Sequence, residues 1–122
     1  MKPVMIIDKD GTKRWKLNGL RHREDGPAIE YTNGTKKWAI NGVFHREDGP
    51  AIEYVNGDKQ WWINGKLHRE DGPAIEYADS GRGYDWFING KVIILEQVIK
   101  YCPDGYGPWT ASDLAKFKLK YL

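Results

Sequence analysis

The chain is short of most things that would announce a chemistry. It holds a single cysteine, Cys102, so no internal disulfide can form, which suits a reducing compartment. Long hydrophobic runs are missing. Val4-Met5-Ile6-Ile7 is too brief for a signal-peptide core, and nothing approaches the roughly 20 apolar residues of a membrane-spanning helix. Charge of one sign is missing too. Nineteen Lys and Arg stand against 17 Asp and Glu, and the net +2 marks neither an extended nucleic acid nor a membrane as partner. There is no Gly-x-Gly-x-x-Gly loop, Walker motif, Cys-x-x-Cys pair or Ser nucleophile elbow. These gaps predict a cytoplasmic, cofactor-free protein of one compact domain.

What is present is repetition. His22-Arg23-Glu24-Asp25-Gly26-Pro27-Ala28-Ile29-Glu30-Tyr31 returns letter for letter at His45–Tyr54 and at His68–Tyr77, a period of 23 residues. A Trp-x-x-Asn-Gly phrase keeps the same step at Trp15, Trp38 and Trp61, and appears again, two residues late, at Trp86. Fixed self-similarity at this spacing marks a repeat architecture. Each unit reads as a β-hairpin: an alternating Ala-Ile-Glu-Tyr strand, an Asn33-Gly34 or Asn56-Gly57 turn, and a Trp-x-Ile return strand. A second Asn-Gly, at Asn41-Gly42 and Asn64-Gly65, reads as the connection to the next unit.

The expected fold is mainly β: an antiparallel meander of about four stacked hairpins over residues 1–91, with a short helical cap over 92–122. Val4 to Leu17 is a first hairpin without the signature, as terminal repeats often are. Two extra residues in Ala78–Asp85 predict a longer hairpin tip. Period-2 alternation places Ile29 with Tyr31 and Trp38 with Ile40, and the two sets are expected on one continuous apolar face. The intervening position reads Lys16, Ala39, Trp62, Phe87 and grows apolar toward the C-terminus. Leu95, Val98, Ile99 and Cys102, then Leu114, Phe117 and Tyr121, follow helical spacing.

The repeated polar residues invite a catalytic or metal reading, which geometry opposes. One hairpin occupies two strands, so equivalent histidines lie roughly 9–10 Å apart, too far to share an ion bound at about 2 Å. The simpler expectation is that His, Glu and Asp bond the next unit's turn and its Arg, fixing the register of the stack.

The stretch Asn64-Gly65-Lys66-Leu67-His68 through Tyr77-Ala78-Asp79 resembles the MORN repeat, including its variant form. The form Trp-x-x-Asn-Gly-x-x-His-Arg-Glu-Asp-Gly-Pro-Ala is also similar to small proteins of tailed bacteriophages. The resemblance covers Val4 to about Lys91. It departs from the usual pattern at Glu-Asp-Gly-Pro-Ala and in having Trp for Tyr on the return strand. It implies a single-layer meander serving as scaffold or interaction surface.

Three functional expectations follow. The first is a non-enzymatic module that binds or inhibits a host or phage protein through Trp62, Phe87, Arg82 and Tyr84, in the cytoplasm of an infected host. The second is a sponge for a nucleotide signal, with Arg21, Arg23, Arg46, Arg69 and His68 as phosphate residues. The third is a hydrolase or nuclease using one His-Arg-Glu-Asp copy, for which His68 is the candidate. A homo-oligomer through the edge strand Val4–Ile7 is compatible with each.

Overall fold

The computed structural model describes residues 2–79, 81 and 83–93. Among them fourteen strands succeed one another and no helix occurs: β1 (Val4–Ile7), β2 (Lys13–Leu17), β3 (Leu20–Arg21), β4 (Ile29–Glu30), β5 (Lys36–Lys37), β6 (Ala39–Ile40), β7 (Val43–Phe44), β8 (Ile52–Glu53), β9 (Lys59–Gln60), β10 (Trp62–Ile63), β11 (Lys66–Leu67), β12 (Ile75–Glu76), β13 (Tyr84–Ile88) and β14 (Lys91–Ile93). All pairings are antiparallel. The expected C-terminal helices lie outside the described residues.

The meander is built, with more in each unit than one hairpin. β4 turns into β5, the chain runs on through Trp38 into β6, and a second turn leads into β7. Trp38 divides the run. Its N–H donates to Ala51 O of the following unit at 2.7 Å, while its own carbonyl accepts His45 N–H at 3.2 Å. Two ladders result, side by side. One has the order β1-β2-β4-β5-β8-β9-β12-β13-β14. The other consists of the small hairpins β6–β7 and β10–β11, bridged by Arg46 N–H to Trp62 O at 3.1 Å and Gly65 N–H to Phe44 O at 2.9 Å.

The two kinds of Asn-Gly do different jobs. Asn18, Asn41, Asn64 and Asn89 all have φ of 50–53°, and each is followed by a glycine with φ of 77–86°. Two successive positive φ values make the tight two-residue hairpin turn, so Asn41-Gly42 closes β6 on β7. At Asn33-Gly34 only Gly34 is positive, with φ 99°. There Gly34 N–H donates to Tyr31 O and Tyr31 N–H to Thr35 O, which closes a three-residue loop. Asn33 Oδ1 accepts Thr35 N–H at 2.9 Å instead of entering the left-handed region.

That one extra loop residue overturns the expected faces. A two-residue turn at Asn33-Gly34 would set Ile29 opposite Trp38. The three-residue loop sets Ile29 opposite Lys37, and a one-residue slip sends every side chain to the other face. Ile29 and Tyr31 therefore share a face with Lys37 and Ala39, while Ala28 and Glu30 share the opposite one with Trp38 and Ile40. Ala28 and Ile29, on opposite faces, are both 0% exposed, as Ala51 and Ala74 are. The sheet is thus covered on both sides at the Ala-Ile step. Burying each Ile side chain there contributes about 1.5–3 kcal/mol.

The expected first hairpin is present as β1–β2, with Asp8 and Thr12 closing its loop. The longer tip in the last unit is present too. Tyr77 N–H reaches Gly83 O, where the preceding units span Tyr54 to Asp58 and Tyr31 to Thr35.

Candidate functional site

Each letter of the repeated phrase has a structural task. The N–H of Asn41, in the tight turn 19 residues on, donates to His22 Nδ1 at 3.0 Å; Asn64 does the same to His45 at 3.0 Å and Asn89 to His68 at 2.9 Å. An accepting Nδ1 places the proton of the neutral imidazole on Nε2, which faces Glu24, Glu47 or Glu70 at 3.5–3.9 Å. The arginine lies over an indole: Arg23 over Trp15 and Arg46 over Trp38 at 3.9 Å, Arg69 over Trp61 at 3.8 Å. Its Nε donates to the Asp two residues on, and its Nη1 to the Pro carbonyl four residues on. The Glu of the same unit's strand flanks Nη1 at 3.5–3.9 Å.

The glycine follows from the arginine. A Cβ on Gly26, Gly49 or Gly72 would come within 2.8–3.0 Å of the Arg Cζ. The guanidinium is therefore held between an indole ring and a bare Cα. The expected Arg–carboxylate contacts form inside each unit, not between units, because stacking on the Trp eight residues before it holds the Arg beside its own Asp. The histidines tie each phrase to the tight turn that follows it, and register between units is carried by the loop tips, where Thr35 Oγ1 accepts Val55 N–H and Asp58 Oδ1 accepts Ala78 N–H.

Between successive phrases runs a groove. One, of about 770 Å³, is lined by Arg23 to Gly26, Trp38, Ile40 and His45 to Asp48. Its successor, of about 810 Å³, is lined by Arg46 to Gly49, Trp61, Ile63 and His68 to Asp71. Glu24, Asp25, Glu47 and Asp48 outnumber the cations of the first groove, and both its arginines already hold carboxylates. Among the described residues no group of three His, Cys, Asp or Glu comes together to hold a metal ion. Nor do the described residues hold a helix long and apolar enough to cross a membrane.

The opposite face carries an apolar row across the second ladder. Ala39 pairs with Phe44, the Phe44 and Trp62 rings meet edge to face at 5.5 Å, and Trp62 pairs with Leu67. Phe87 pairs with Val92 farther on. Phe44, Trp62, Leu67 and Phe87 are half-buried, and Val92 is exposed. Trp62 Nε1 donates to Gln60 Oε1 at 2.9 Å, which fixes the indole's direction.

Of the residues singled out from sequence, Trp62 and Phe87 lie in this row. Tyr84 is exposed at the start of β13, and Arg82 lies outside the described residues. Arg21 is exposed on β3, whereas Arg23, Arg46 and Arg69 belong to the stacks. Phe44 and Leu67 were not anticipated. They occupy the position that reads Arg21, Phe44, Leu67 along the repeat, a drift toward apolar residues parallel to that of Lys16, Ala39, Trp62. Compared with known protein families, curated proteins and solved structures, the chain shows no match.

Proposed function

We propose that the chain is a non-enzymatic binding module acting by stoichiometric contact with another protein, through the row Phe44, Trp62, Leu67 and Phe87; Tyr84, paired with Glu76, lies on the other face of β13. One observation carries this reading. The His, Arg and Asp side chains usually recruited for chemistry are tied to backbone and to each other, while large aromatic side chains on the other face keep exposed surface. Aromatic residues at such positions are the usual anchors of protein interfaces. The likeness of the repeated phrase to MORN-type repeats and to small tailed-phage proteins supports a scaffold role, and directs the search for a partner to bacterial host factors, defence proteins among them.

The sponge reading asks Arg23, Arg46 and Arg69 to grip phosphate, yet each already holds an Asp, a Pro carbonyl and an indole. The hydrolase reading asks one copy to differ, yet His68 repeats the contact of His22 and His45 to within 0.1 Å. Affinity purification from bacterial lysate with wild-type and Trp62→Ala/Phe87→Ala baits tests the proposal. One protein should co-purify in fixed ratio with the wild type and be lost with the variant. Equal recovery on both baits would refute it.

A further inference from the structure

Among the described residues, one end of the sheet is left open: β1 is the outermost strand there and pairs only with β2. Met5 stands opposite Trp15, whose N–H donates to Ala28 O and whose carbonyl accepts His22 N–H. Both backbone groups of Trp15 thus point away from β1. A pair of that kind is a non-hydrogen-bonded one, so the N–H and C=O of Met5 point away from β2 as well. Ile7, two residues on, presents the same edge. Val4, Met5, Ile6 and Ile7 are 65, 45, 44 and 58% exposed, so the strand is apolar on both of its faces. Edge strands are ordinarily blunted by a charge, a proline or a bulge, and β1 contains none of these.

We propose that β1 pairs with β1 of a second copy, antiparallel about a two-fold axis through Ile6. This register sets Met5 opposite Ile7 of the second copy and Ile6 opposite its own counterpart. The N–H and C=O of Met5 and of Ile7 then all find partners. Centring the axis on Met5 would set Ile7 against Pro3, which has no N–H to give. The Ile6 register also carries Lys2 of each copy to the loop that follows β1 of the other, which holds Asp8, Lys9 and Asp10. The surface is separate from the aromatic row and does not depend on it.

Light scattering after size exclusion should give twice the 14.1 kDa chain mass. Met5→Pro should return the mass of one chain, because proline there deletes only an outward donor on an edge strand. Opposed Cα atoms in a non-hydrogen-bonded pair lie about 4.5 Å apart, within disulfide reach. With Cys102 replaced by Ser, Ile6→Cys should therefore cross-link into a covalent dimer under mild oxidation. Met5→Cys and Ile7→Cys in the same background should cross-link at least tenfold less. A wild-type chain of single mass at every concentration would overturn the proposal. So would a dimer that survives Met5→Pro, or one in which Ile6→Cys cross-links no better than its neighbours.

Discussion

The guanidinium of Arg46 lies 3.9 Å from the centre of the Trp38 ring, and a Cβ placed on Gly49 would come within 3.0 Å of its Cζ. The stack, the Asp48 bond and the Pro50 bond stand or fall together with that glycine. Gly49→Ala should destabilise the fold by about 1 kcal/mol, the range of a partly desolvated cation–π contact. In an Arg46→Ala background the same change should be neutral or slightly stabilising, since alanine restricts the unfolded chain and nothing remains to be displaced. Denaturant titration of the four proteins of the cycle measures the coupling, and additivity would show that the glycine serves some other purpose.

The histidine contacts rank themselves by burial. The side chains of His22, His68 and His45 are 8, 13 and 18% exposed. Replacing each by Phe leaves the N–H of the next turn's Asn without its acceptor, at about 1–3 kcal/mol where water cannot substitute. Melting temperatures should fall most for His22→Phe and least for His45→Phe. Loss of an enzymatic activity in only one of the three, with the fold intact, would instead favour a catalytic copy.

The turn residues separate in the same manner. Asn41 sits at φ 50°, where a β-carbon costs roughly 1–2 kcal/mol. Asn41→Ala should therefore destabilise while Asn41→Gly is tolerated. Asn33 is not among the positive-φ residues and acts through its side-chain oxygen on Thr35 N–H. Asn33→Asp should be tolerated and Asn33→Gly should not. Equal responses at the two sites would contradict the two-turn assignment.

Much of this was legible from the repeat. The hairpin meander, the atypical first hairpin, the longer last tip and the bond of each His to the backbone of a turn could all be read from spacing; the Arg contacts, expected between units, could not. The faces could not. They depend on whether the Tyr31–Thr35 loop holds two residues or three, and Asn-Gly fits both. The Arg23–Trp15 stack was also hidden, because the two residues meet across the Asn18-Gly19 turn, and spacing alone does not say which side chain folds over which. Phe44 was missed because its position carries Arg21 one unit earlier, so the repeat conceals the apolar drift that defines the row.

Asp10 stands where the other units have Asn33 and Asn56, and its Oδ1 accepts Thr12 N–H at 2.9 Å. The backbone N–H and the hydroxyl of Thr12 hold its carboxyl below the ordinary carboxylate value. A depressed carboxyl contributes stability that is complete above its unfolded value and lost as the pH falls through the folded one. The advantage of wild type over Asp10→Ala should therefore be full at neutral pH and shrink below about pH 4. Asp10→Asn keeps the acceptor, so its margin over Asp10→Ala should not decline with acid. Thermal melts from neutral pH to pH 2 compare the three, and parallel curves would deny the carboxyl this role.

The central claim is that the repeated polar phrase holds the stack together and the opposite aromatic row meets the partner. Ala39 occupies in the second unit the place of Trp62 in the third, so alanine is compatible with the backbone there. The most direct measurement is quantitative mass spectrometry of proteins recovered from bacterial lysate on three baits: wild type, Trp62→Ala/Phe87→Ala, and Glu24→Gln/Glu47→Gln/Glu70→Gln on the groove side. A single partner should be recovered equally by wild type and the Gln variant and be lost from the Ala variant, with all three baits folded. A partner kept by the Ala variant and lost from the Gln variant would place recognition in the grooves and contradict the account.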